Sequence, residues 1–242
     1  MKLYRGLNLN EDEIDFIKVN GDCDFQKGSC LLKPIMEQHN LSVKNVINQL
    51  LAEKEDVGRY NIDSEDVHDM GKYVTGCFLG ASIYSHDSSK KEKNVVLVIE
   101  AEQDQVFIDG RDFLYTFFSF KAKNNPISKT NIEKAKIVFG SKIGEYLSMF
   151  NGIITLDSNL LNRYVDYICM DKEIIDAHYK NTEVLILGRY NTKFLSAFGI
   201  IGGIKPKMIL NIVDADQVSR TDNQVYLLNK YSLTDTLDIY KI

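Results

Sequence analysis

Tryptophan is absent from the 242 residues, and proline (three), histidine (four) and cysteine (four) are scarce. The missing tryptophan excludes nothing by itself, but the other scarcities do. Cys23, Cys30, Cys77 and Cys169 have neither CxxC spacing nor a neighbouring His pair, so no zinc-finger pattern is written here and the thiols read as reduced. There is no internal repeat and no low-complexity tract, which removes the fibrous and disordered classes. No basic surplus exists either: 29 Lys and Arg stand against 34 Asp and Glu, a formal charge of -5, which disfavours duplex nucleic acid as a partner. No stretch approaches the roughly 20 apolar residues of a spanning helix. The opening Met1-Lys2-Leu3-Tyr4-Arg5 turns polar at once, so no secretion signal is expected. These absences point to a soluble, cytoplasmic chain without a membrane partner.

What is present suits a single domain over residues 1–242, with 44% hydrophobic and 26% charged residues. Lys2 to Leu7 reads as a strand, and Asn10 with Glu13 forms a capping box that starts a helix running to about Val19. Gly21 to Cys30 reads as a loop, and Ser42 to Glu53 as an amphipathic helix. Tyr73 to Tyr84 mixes β-formers with glycines, while Asn94 to Ile99 and Gln105 to Ile108 read as strands. Phe113 to Phe120 is read as helix. Thr130 with Glu133 suggests a second capping box, ahead of one apolar stripe through Ile132, Ala135, Phe139, Ile143, Tyr146 and Leu147. Ser158 is expected to cap a helix that continues or restarts through Ile174 and Ile175. From Glu183 onward short strands follow: Val184 to Leu187, Phe194 to Ile201, Met208 to Val213, Val225 to Leu228 and Leu237 to Tyr240. A first strand, a helical middle and a strand-rich end imply an α+β fold whose first strand joins a sheet completed late in the sequence.

Two stretches carry candidate chemistry. Leu3-Tyr4-Arg5-Gly6 sets an arginine on a strand, where its planar fork suits a pyrophosphate, and follows it with a glycine that permits close approach of a ligand. Asn181-Thr182-Glu183-Val184-Leu185-Ile186 places a carboxylate at the start of an apolar strand, with a second polar side chain two positions earlier on the same face. Read blandly, Arg5 is a surface arginine and Asn181 and Glu183 mark a helix-to-strand turn.

Together these stretches resemble the ADP-ribosyltransferase family, in the branch patterned as an arginine on the first strand, a Ser-Thr-Ser-like strand, and a Glu or Gln two before a catalytic Glu. The resemblance implies a split β-sheet core with helical segments between the first and last strands. It also implies that NAD is the substrate and a macromolecule, normally a protein, the acceptor of ADP-ribose. Arg5 and Gly6 would then contact NAD, and Glu183 would be the catalytic glutamate with Asn181 beside it. Asn181 departs from the family's Glu or Gln, which argues against arginine as acceptor. No Ser-Thr-Ser occurs. Gly80-Ala81-Ser82-Ile83-Tyr84-Ser85 is the nearest stretch, with Ser82 orienting Glu183 and Tyr84 stacking on nicotinamide; Ser119 is a second candidate.

Two other classes compete. Glu100, Glu102, Asp104 and Asp109 could serve a metal-dependent nuclease or phosphohydrolase, although an acidic turn explains them more simply. A non-catalytic binding or regulatory protein on an enzyme-like scaffold is the other. His86 reads as loop, His178 as a partner for the dipole at a helix end, and Gly202-Gly203 as a turn.

Overall fold

The computed structural model describes residues 1–22, 71–86, 93–109, 127–151, 168–181, 184–187, 193–215 and 235–237. They form strands β1 (Lys2–Leu9), β2 (Gly71–Val74), β3 (Lys93–Glu100), β4 (Val106–Ile108), β5 (Val184–Leu187), β6 (Lys193–Phe194), β7 (Phe198–Ile201), β8 (Ile209–Asp214) and β9 (Asp235–Leu237). The helices are α1 (Glu11–Asn20), α2 (Phe78–Ser85), α3 (Lys129–Phe139), α4 (Ser141–Asn151) and α5 (Lys172–Tyr179). The class is α+β. The strands pair as three small sheets in the orders β1-β3-β8, β2-β7-β4 and β6-β5-β9, antiparallel except for the parallel pair β5 and β9. A bridge between Tyr4 and Thr75 links the first two sheets at β1 and β2. The expected helices at Ser42 to Glu53, Phe113 to Phe120 and from Ser158 up to Ile168, and the strand at Val225 to Leu228, lie outside the described residues.

β3 explains why the first sheet forms. Its five consecutive buried residues, Val95 to Ile99, face two cores by strand alternation. Val95, Leu97 and Ile99 join the main core, whereas Val96 packs with Ala81 of α2 and Ala215. α1 begins at the capping box read from the sequence, with the Asn10 side chain accepting from Glu13 N at 2.8 Å.

Two readings need correction. The stripe from Ile132 to Leu147 belongs to two helices, because Gly140 turns to φ 81° and breaks it; a Cβ there would meet Ala177 Cβ at 2.7 Å, so the break lets α5 pack close. The cap of α3 is Ser128, accepting from Asn131 N, because Glu133 pairs with Lys136 rather than reaching back to Thr130. Of the two courses expected through Ile174 and Ile175, the helix takes the second and restarts at Lys172, where Asp171 caps Glu173 N and Ile174 N.

His178, at the end of α5, also departs from its reading. It is fully buried, stacked on Phe139 at 4.6 Å and edge-on to Phe198 at 5.0 Å. Ala197 N–H donates to its Nε2 at 3.0 Å, so in the neutral ring Nδ1 carries the proton and donates to Val138 O at 3.2 Å. Burial pushes its pKa down to about 3, so the ring is neutral and offers the helix dipole no charge. The linked stability has a defined sign. The unfolded chain takes up a proton near pH 6.5 that the folded chain refuses until about 3, so stability is lost as pH falls through that window. Urea unfolding of the wild type should therefore weaken between pH 6.5 and about 5, above the main carboxylate range. His178→Phe should lose that slope and start about 1–3 kcal/mol less stable, from the unpaired Val138 carbonyl and Ala197 amide.

Candidate functional site

Arg5 projects from β1 into a cluster of charge. Its Nε donates to Asp22 Oδ2 at 2.6 Å and its Nη1 to Tyr73 O at 2.8 Å. Lys72, on β2, reaches the other carboxylate oxygen of Asp22 at 3.2 Å. All three side chains are largely withdrawn from water, at 20% (Arg5), 15% (Asp22) and 18% (Lys72) exposure, so their mutual attraction is screened less than on an open surface. The Arg5 Nη2 group has no acceptor among the described residues. A planar donor with two groups fixed and one uncommitted can receive an oxyanion without first being ordered.

Asp22 is itself held. It exchanges both backbone hydrogen bonds with Ile204, at 2.8 and 2.9 Å, in the turn after β7. Gly21 makes that approach possible, because a Cβ there would lie 2.1 Å from Ile204 O.

Gly6 serves a different purpose from the one expected. Its missing Cβ would lie 1.8 Å from Ala81 O, so the glycine admits α2 onto β1 rather than a ligand. Ser82 and Tyr84 stand on that helix and not on a strand. Ser82 is buried and its hydroxyl donates back to Leu79 O at 2.8 Å, whereas Tyr84 is exposed. Ser119 lies outside the described residues. Besides its sheet partner β3, β1 meets the end of β2, where Thr75 exchanges backbone bonds with Tyr4 at 2.8 Å and takes Cys77 N–H on its Oγ1 at 3.1 Å.

Asn181 is buried, and its side chain turns onto backbone. Its Nδ2 donates to Val184 O at 2.7 Å and Leu195 O at 2.9 Å, and its Oδ1 accepts from Val184 N at 3.2 Å. The amide thus pins the entrance of β5 to the segment before β7. Glu183 lies outside the described residues, but its flanks Asn181 and Val184 are fixed by these bonds. The neighbouring Ser196 hydroxyl accepts from Gly76 N at 3.1 Å, and Tyr179 OH donates to Lys2 O at 3.1 Å. A continuous series of contacts therefore runs from Arg5 and Tyr4 through Thr75 and Gly76 to Ser196, Leu195 and Asn181.

Sequence reading missed Asp22, Lys72, Thr75 and Ser196. The available signals were Gly21-Asp22 at a helix end and Thr75-Gly76 at a strand end, both places where polar side chains meet bent backbone. Among the acidic residues considered for a metal, Glu102 belongs to a short turn where its N–H donates to Gln105 Oε1 at 3.1 Å. No group of three or more His, Cys, Asp or Glu among the described residues is arranged to hold a metal ion. No helix among them is long and apolar enough to cross a membrane.

No protein-family profile, curated protein or solved structure matches the chain.

The Gly6 contact is directly testable. Gly6→Ala should destabilise the fold by about 3 kcal/mol or more, because the added methyl meets helix backbone and not a mobile side chain. The measurement is a denaturant midpoint without ligand, and an unchanged midpoint would contradict the close packing of α2 on β1.

Proposed function

We propose that this chain binds NAD, breaks its nicotinamide glycosidic bond and transfers ADP-ribose to a protein or other macromolecular acceptor. The observation that carries this reading is the unbroken path from the part-buried Arg5 guanidinium, across Thr75 and Ser196, to the pinned residues on either side of Glu183. Two three-stranded antiparallel sheets joined at the Tyr4–Thr75 bridge, with α3, α4 and α5 between the early and late strands, support a split-sheet core of the ADP-ribosyltransferase kind. In this reading Thr75, beside β1, takes the place in which Ser82 was expected.

Each residue type meets a chemical demand. Cleaving the glycosidic bond builds positive charge on the ribose, and a fixed carboxylate facing that charge lowers the barrier electrostatically. Glu183 supplies the carboxylate, and the Asn181 clamp holds Val184, the residue after it. Arg5 supplies donors to the diphosphate through Nη2. Asn181, committed to Val184 and Leu195, is a positioning residue and leaves acceptor recognition to other groups.

The test is nicotinamide release from NAD by the purified chain, with and without magnesium and with cell lysate as a source of acceptors. Release that depends on lysate and not on magnesium is expected. Glu183→Gln should fold as the wild type does yet lose about 100-fold or more in turnover. Absence of both NAD binding and release in the wild type sinks the reading, and full turnover in Glu183→Gln sinks the role of that residue.

A further inference from the structure

We propose that Asp22 and Lys72 are positioning residues that act through Arg5, as a relay in which Lys72 fixes Asp22, Asp22 fixes the guanidinium, and the guanidinium presents Nη2 to a diphosphate. The proposal rests on the reading of Arg5 as the diphosphate contact and extends it to two residues outside the Arg5-Gly6 and Asn181-Glu183 stretches.

The geometry argues for a relay over an incidental ion pair. Asp22 takes Nε through Oδ2 alone, while Tyr73 O takes Nη1, whose donors point away from the Nε–H side, so the plane of the guanidinium is set at two points from different directions. Each fork of the guanidinium thus has one arm committed, and Nη2, the arm common to both, is left to donate to a phosphate oxygen. The other Asp22 oxygen goes to Lys72, so the carboxylate cannot rotate without breaking that contact. Its backbone is closed on both sides by Ile204, which removes the remaining freedom. Arginine loses considerable rotamer freedom on binding a ligand, and here the protein has already taken most of it, so the gain appears as affinity for phosphate-bearing ligands only.

The experiment is calorimetric titration of the full chain with NAD, ADP-ribose, inorganic pyrophosphate and phosphate-free nicotinamide riboside. The variants are Asp22→Ala, Asp22→Glu, Lys72→Met, Arg5→Ala and the Asp22→Ala/Arg5→Ala double variant. Asp22→Ala should weaken pyrophosphate and ADP-ribose about tenfold and leave nicotinamide riboside unchanged, as expected from loss of a charge-assisted hydrogen bond that orients the ligand's partner. Lys72→Met should give a smaller loss in the same ligands, and Asp22→Glu should recover most of the affinity. The Arg5 Nε–H resonance, held by Asp22 in the wild type, should exchange faster in Asp22→Ala, a signature independent of any ligand. In the Arg5→Ala background Asp22→Ala should add nothing, the mark of a residue acting through Arg5. Unchanged or tighter pyrophosphate binding in Asp22→Ala overturns the relay, since the carboxylate would then be idle or a competitor; so does an additive loss in the double variant. If the wild type binds pyrophosphate in an Asp22-dependent manner but not NAD, the relay stands and the ADP-ribosyl reading falls. If it binds neither, both fall.

Discussion

An imidazole buried between Phe139 and Phe198 has few ways to satisfy both ring nitrogens, and His178 satisfies them with the backbone of two separate elements. One nitrogen closes the end of α3 and the other holds Ala197, the residue before β7. Leaving either backbone group unpaired in this interior would cost far more than a surface bond returns, so the three pieces move together or not at all. Asn181, three residues on, extends the same grip to Leu195 and Val184. β7 is the centre of its sheet, between β2 and β4, so fixing the entrance to β7 fixes where β2 meets β1. Every contact along the Arg5-to-Asn181 path depends on that placement.

Where both partners lie within one turn or alternate along one strand, local rules were legible except at Thr130 and Glu133, where Ser128 takes the cap. The Asn10 and Glu13 box, the β3 run and the Val184 to Leu187 strand all follow such rules and appear where the sequence put them. The stripe from Ile132 to Leu147 was read correctly as apolar and wrongly as continuous, because periodicity does not record that Gly140 must yield to Ala177 from a different helix. α2 was misread for a related reason. Its Gly80 and its Ser, Phe, Ile and Tyr residues are weak helix formers, and the helix is sustained by packing on Gly6 and Val96, contacts made across the sheet.

The site was half legible. Arg5 and the Asn181 stretch stood out because their neighbours are apolar strands, but what each side chain does was hidden by distance along the chain. Arg5 meets a carboxylate 17 residues away and a carbonyl 68 residues away. Asn181 looked like a free polar group because its partner at Leu195 lies beyond the next strand. A polar residue at a strand entrance is as readily a clamp on backbone as a contact for substrate, and composition does not separate the two.

The bond between Tyr179 and Lys2 spans 177 residues, and among the described residues β1 pairs with β3 and bridges to Thr75, with β8 completing the sheet. Such a topology places its loop-closure cost before its reward. During synthesis β1 emerges well before the segments that complete its sheet and pin the entrance of β5. Whatever chemistry the assembled site performs is therefore withheld until β8 and the turn at Ile204 that holds Asp22 have followed, and until then Arg5 stands beside a carboxylate with no frame to fix it.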